Sequence, residues 1–194
     1  IIAQKCYCTG CCQGSDESSN AEDDEDHGTH VAGIAAGNGS TYKGVAPNAD
    51  IVAVKVLNDS GTGLFSDTAQ AIDWCVANKN TYNISVITMS LGDRGQYNNP
   101  TTQCDGYTTT NAIASAVSAG IIVTVASGNE GYTNGLNYPA CGSSATSVGS
   151  TTKSEGVSSF SNGDEILDLL ATGGTSAGSA ACPTSNYICS SKRG

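Results

Sequence analysis

Two histidines three residues apart, His27 and His30 in the stretch HGTHVAGIAAG, are the only imidazoles in this chain of 194 residues. An imidazole titrates near neutral pH, so either one can serve as a general base. Zinc binding through both is the rival use, but the H-E-x-x-H pattern needs a glutamate between its histidines and none stands here. A core histidine with satisfied hydrogen bonds is the plainest alternative. Near the far end, GGTSAGSAACP sets Ser176 after a glycine pair and before a run of small residues able to begin a helix, an environment that suits a nucleophile. Ser179 is the weaker substitute. Asn129, closing ASGN, carries an amide able to donate to a developing oxyanion, though an asparagine after a strand also makes an ordinary turn.

Such groups need a scaffold, and from Ala49 onward the pattern supplies one. ADIVAVKVL is a β-branched run suited to a buried strand, and SDTAQAIDWCVAN follows it with Ala69, Ile72 and Val76 at helical spacing behind a Ser66 cap. NISVITMSLG and TTNAIASAVSAG make a second strand and helix, the helix closing at Gly120, and GIIVTVASGN opens a third strand. Apolar strands linked by helices predict an α/β fold whose parallel sheet is covered on both faces. Ligands of such sheets bind at the carboxyl ends of the strands, here Ser90–Leu91–Gly92 and Ser127–Gly128–Asn129. The small residues Gly28, Ala32, Gly33, Ala35 and Ala36 predict a helix packed tightly inside the protein, with His27 at its amino end facing a cleft.

The length fits one domain with a full core: an irregular Cys- and acid-rich segment at 1–26, a core at 27–183 and a short polar tail at 184–194. The formal net charge is −10, and seven of the eighteen acids, from Asp16 to Asp26, crowd ahead of His27. That surface repels phosphate backbones, so nucleic acid is excluded as a partner. No apolar run approaches the roughly 20 residues of a membrane span, and no basic–apolar leader begins the chain, which reads as soluble, mature or a fragment. Nine cysteines in a chain poor in charge point to disulfides and an extracellular setting. Four of them, in CYCTGCC, could instead form a thiolate metal cluster. The acidic run at 22–26 is a solvated surface or, since hard carboxylate oxygens suit it, a calcium site.

HGTHVAG, GVAP, SLG, ASGN and GTS, in that order from Asp26 to Ser176, resemble the subtilisin-like serine proteases, the subtilases. The resemblance implies a three-layer α/β fold with a mostly parallel central sheet and a secreted endopeptidase that needs no cofactor for its chemistry. It implies His27 as general base, Ser176 as nucleophile and Asn129 as oxyanion donor, with His30 in a supporting role. It implies that Ser90, Leu91 and Gly92 pair with an extended peptide, and that Ala126, Ser127 and Gly128 form the other wall of the S1 pocket. A peptide or protein substrate is the expected partner, with a proteinaceous inhibitor or prosegment as another. By analogy with secreted bacterial relatives, Cys104 pairs with Cys141. Structural calcium, common in the family, is left without an assigned site.

Two features depart from the family. Its triad aspartate ends the first core strand in a DTG-like or DSG-like turn about thirty residues before the histidine. Here Asp16, Asp23, Asp24 and Asp26 are the only candidates, and the expectation is that the third member is absent. After DLLATG the chain runs almost directly into GTS, Ala177 stands in place of the family's methionine, and Ser179–Ala180 replaces its proline–histidine. A subtilase shortened at both ends is the reading adopted. An inactive remnant that binds extended peptides is the alternative, and a Cys-rich metal-binding protein is a third.

Overall fold

The computed structural model describes residues 1–175. Of these, Ile1–Ile84 make one compact unit and residues 85–175 a second.

The first unit holds β1 (Ala3–Cys12), β2 (Ser15–Ser18), α1 (His27–Ala36), β3 (Val52–Lys55), α2 (Phe65–Ala77) and α3 (Lys79–Tyr82). Its sheet has the order β2-β1-β3, with β1 antiparallel to β2 and parallel to β3. Residues 1–26, expected to be irregular, therefore contain a strand of ten residues. The alternation was hidden because the inward side chains are cysteines: Cys6, Cys8 and Cys12 are no more than 2% exposed. They are joined as Cys6–Cys12 and, nested inside, Cys8–Cys11, so this small sheet packs on sulfur where a larger one would use Val and Ile.

Helix α1 begins at His27 as expected, but none of its residues is buried, which corrects the tightly packed helix read from its glycines and alanines. Small side chains permit close packing without requiring it. Helix α2 is capped two residues earlier than the sequence suggested. Leu64 is its N-cap residue and makes no side-chain cap bond, so Ser66 lies inside the first turn and caps nothing. The helix is tied to the sheet at that same turn: the Thr9 N–H donates to Asp67 Oδ2 at 2.8 Å and the Thr9 hydroxyl donates to the same oxygen at 3.1 Å. Asp67 is buried, and these bonds offset the cost of burying its carboxylate.

The second unit holds β4 (Val86–Met89), α4 (Pro100–Gln103), α5 (Thr108–Ser118), β5 (Ile122–Ala126), β6 (Thr146–Thr151) and β7 (Leu169–Thr172). Its four strands run parallel in the order β4-β5-β6-β7. Gly120, at φ 77°, ends the α5 segment where the sequence placed the stop. Ile113 and Ala116 of α5 are buried, as are Val123 and Val125 of β5. Fully burying an aliphatic side chain of this size is worth about 1.5–3 kcal/mol. The sheet is not covered evenly. Ile122 is 57% exposed and its register partner Val86 53%, so an apolar run did not guarantee burial on both faces.

Candidate active site

β4 and β5 lie side by side in parallel, with Met89 opposite Val125. The segments that leave their carboxyl ends are therefore neighbours: Ser90, Leu91 and Gly92 on one side, Ala126, Ser127, Gly128 and Asn129 on the other. The structure brings together the segment for which the resemblance implied peptide pairing and the segment for which it implied a wall of the S1 pocket.

Asn137 and Tyr138 join them. The Asn137 N–H donates to the Ser127 carbonyl at 2.9 Å, and the Asn137 side-chain amide donates to the Gly95 carbonyl at 2.7 Å. The Asp93 N–H donates to the Tyr138 carbonyl, and Asp93 Oδ1 accepts the Tyr138 and Gly95 N–H groups. Asp93 Oδ2 accepts the Tyr97 hydroxyl at 2.9 Å, a bond that raises the Tyr97 pKa because losing that proton would leave two anions in contact.

Gly128 has to be glycine on two grounds. Its φ is +118°, and a Cβ built on it would sit 1.8 Å from Asn137 Oδ1 and 2.1 Å from Asn162 Nδ2. Both asparagines are buried, at 2% and 0% exposure. Asn129 is exposed, and its N–H donates to Glu130 Oε2 at 3.0 Å. Beyond these loops, Cys104 and Cys141 are joined, with Cα atoms 5.9 Å apart, and the Thr110 hydroxyl donates to the Cys104 carbonyl.

The histidine side is built otherwise. His27 is exposed at the head of α1, and its backbone N–H donates to Glu25 Oε2 at 3.2 Å. The His30 N–H bonds the Asp26 carbonyl in the first helical turn. Asp23 Oδ1 accepts the Glu25 and Asp26 N–H groups, and Asp23 Oδ2 accepts the Thr29 N–H and hydroxyl. Partial burial of Asp23 opposes its ionisation, but the Thr29 hydroxyl and these backbone donors outweigh it and bring its pKa down to about 2. Asp24 pairs with Lys55, and Asp16 accepts the Gly10 N–H. The carboxylates of Asp16, Asp23 and Asp24 thus hold local turns and a lysine. Ser176 and its substitute Ser179 lie outside the described residues, as does the tail 184–194.

No group of three or more His, Cys, Asp and Glu able to hold a metal occurs among the described residues. In the acidic run, Asp23 faces Thr29 and Asp24 faces Lys55, so their oxygens do not converge as a calcium shell requires. The thiolate cluster read as a rival in CYCTGCC is corrected too, since all four sulfurs are in disulfides. The free Cys75 is buried, and burial pushes its thiol up to about 11, which keeps it neutral and inert at ordinary pH.

Sequence reasoning missed Asp93, Asn137 and Asn162. Nothing in an isolated asparagine distinguishes a buried one from a turn residue. The available signal was place: Asp93 directly follows Ser90–Leu91–Gly92, and Asn137 and Asn162 stand in the polar NYPAC and SFSN stretches.

A parallel sheet whose adjacent strand ends carry two braced, glycine-containing polar loops places the second unit in the class of α/β proteins that bind ligands at strand ends. The comparison with known proteins narrows this: residues 10–193 match the model of the subtilase family, and the chain belongs to that family. It is similar to subtilisin E of Bacillus subtilis (strain 168), with 41% identity over 163 residues, which is 81% of this chain and 39% of that protein. The minor extracellular protease Epr of the same organism is 39% identical over 152 residues, 77% of this chain and 22% of that protein. Among solved structures, a cold-adapted subtilisin-like serine proteinase superposes with a TM-score of 0.69 at 35% identity, covering 82% of this chain and 53% of that one. A protease from Pseudoalteromonas arctica PAMC 21717 gives a TM-score of 0.79 at 30% identity, covering 99% of this chain and 64% of that one. The chain therefore spans well under half the length of these two curated relatives.

Proposed function

We propose that this chain belongs to a secreted serine endopeptidase that cleaves peptide bonds through an acyl-enzyme on Ser176. Ser176 Oγ attacks the scissile carbonyl carbon while His27 takes its proton. The oxyanion accepts a hydrogen bond from the Asn129 amide, and His27 returns the proton to the leaving amine. Water, activated by His27, then hydrolyses the ester. Ser90, Leu91 and Gly92 supply the backbone edge for an extended substrate, and Ala126, Ser127 and Gly128 the facing wall. A prosegment or proteinaceous inhibitor would use the same edge. No cofactor enters the chemistry, and the acidic run gives a structural calcium no converging ligand set. The extracellular setting rests on the disulfides and on the relative whose name describes it as extracellular.

The observation that carries the reading is the pair of braced loops at the adjoining ends of β4 and β5, in a chain whose family is shown. The test is reaction with a fluorophosphonate and mapping of the adduct. Labelling of Ser176 that disappears in His27→Ala is the expected result; an unlabelled chain, or label on Ser179, would contradict it.

A second reading, a peptide-binding remnant with little hydrolysis, is favoured by one observation. The parallel pairing of β1 with β3 ends at Cys6, and the part of β1 beyond it reads Cys8–Thr9–Gly10, with Gly10 at φ 73° and the register to β2 irregular between Tyr7 and Cys12. The stretch resembles the family's Asp-Thr-Gly, with the disulfide-bonded Cys8 where the aspartate would stand. We take Cys8 as the replaced triad position, which makes the chain a crippled hydrolase, at least a thousandfold slower than a complete subtilase on the scale of losing that carboxylate.

A further inference from the structure

Asn162 belongs to no strand or helix, yet it is fully buried, and each of its polar atoms bonds the stretch from Ser127 to Tyr132. Its Oδ1 accepts the N–H of Glu130 at 3.0 Å and of Tyr132 at 3.1 Å. Its Nδ2 donates to the Ser127 carbonyl at 3.3 Å and to Glu130 Oε2 at 3.0 Å. Its backbone N–H donates to the Gly128 carbonyl at 3.2 Å, and its carbonyl accepts the Ser127 hydroxyl at 3.0 Å. We propose that Asn162 is the positioning residue of the oxyanion site: it fixes the backbone on both sides of Asn129 and thereby aims the Asn129 amide.

The argument rests on the assignment of Asn129 as oxyanion donor and adds the means by which it is aimed. Asn162 bonds the two residues before Asn129 and the residue after it. Asn129 itself is reached at one remove, because its N–H is held by the same Glu130 oxygen that Asn162 Nδ2 holds. A primary amide is suited to this work because it offers two acceptor sites and two donors in one plane. Aspartate at this position would keep the acceptor side and turn an oxygen toward the Ser127 carbonyl and the Glu130 carboxylate. A donor preorganised in this way pays no reorganisation at the moment charge develops, so loosening it should act on kcat.

The test uses Asn162→Ala, the isosteric Asn162→Asp, Asn129→Ala and the double Asn129→Ala/Asn162→Ala in the full chain. Displacement of a catalytic group by about 1 Å costs on the order of 10²-fold. Either Asn162 change should lower kcat by about that factor, yet the double variant should fall no more than about threefold below Asn129→Ala, since residues acting through one another are not additive. Losses that multiply would overturn the proposal. Amide hydrogen exchange gives a readout that does not need turnover. In Asn162→Ala, exchange at Asn129, Glu130 and Tyr132 should quicken while Val123 and Val125 stay protected. Unchanged exchange at the three amides would overturn the proposal. So would lost protection at Val123 and Val125 in both variants, because Asn162 would then be holding the whole sheet. Should the wild-type chain neither turn over nor take a fluorophosphonate label, the protease reading falls and the exchange result alone judges Asn162.

Discussion

The segment bearing His27 and the segment bearing Asn129 are made to different standards. Residues 127–132 are clamped by two buried asparagines and a glutamate, around a glycine that no other residue can replace without collision. Helix α1 buries none of its residues, and the bonds that Asp23 and Glu25 accept at its head come from exposed or half-buried carboxylates within a few positions in sequence. The first arrangement holds its geometry through side chains brought from distant sequence. The bonds to Asp23 and Glu25 at the head of the second close local turns. Preorganised donors retain their value even when proton transfer is impaired, so the contrast predicts a protein that binds and polarises a peptide better than it moves a proton.

The largest expected effect tests the weaker side. If His27 is the base, His27→Ala should cost on the order of 10³-fold or more in kcat. His30→Ala should cost less. A folded His30→Ala variant that is the more damaged of the two would reverse the assignment. On the other side, Asn129→Ala should lower kcat about 10²–10³-fold. That range is the one known for the oxyanion asparagine of subtilisin, a relative of this chain.

The disulfide sharpens the contrast through stability. Cys104–Cys141 closes a separation of 37 residues, which on the chain-entropy model is worth about 4 kcal/mol. Replacing both cysteines with serine should lower the denaturation midpoint accordingly, as measured by urea titration, and a peptide map without reduction should recover the two as one linked species. The smallest effect belongs to Asp23. Its pKa is depressed in the folded state, so the stability it contributes is present above the unfolded value of about 3.9 and is lost as pH falls toward about 2. Asp23→Asn should remove that part of the acid sensitivity in thermal melts between those pH values. At neutral pH, exchanging Asp16, Asp23 or Asp24 for Asn should change turnover little. A large loss at any one of them would place a catalytic carboxylate in the acidic segment.

Much of the second unit was legible because its signals were of the kinds a sequence carries openly. β-Branched runs gave β4 and β5, helical spacing with a terminal glycine gave α5, and the loops after both strands were found from polar residues at strand ends. Burial was less legible, since Ile122 and Val125 look equivalent in sequence and differ in the face they occupy. The first unit was misread where its core is made of cysteine. Period-two Cys6 and Cys8 look like a disulfide motif before they look like a strand, so β1 and the Cys8–Thr9–Gly10 stretch within it went unrecognised. Asn162 escaped notice because its role depends on partners more than thirty residues away.

The central claim is that the deficit lies on the carboxylate side alone, at Cys8. The most direct measurement is kcat/KM for peptide amide hydrolysis by Cys8→Asp/Cys11→Ser, which places a carboxylate at that position of β1 and leaves no unpaired thiol there. The account predicts a rise of at least about a hundredfold over the unaltered chain, part of the roughly 10⁴-fold that this carboxylate supplies in a chymotrypsin-type enzyme. An unchanged or lower rate in a variant that folds and still takes the fluorophosphonate label would contradict it.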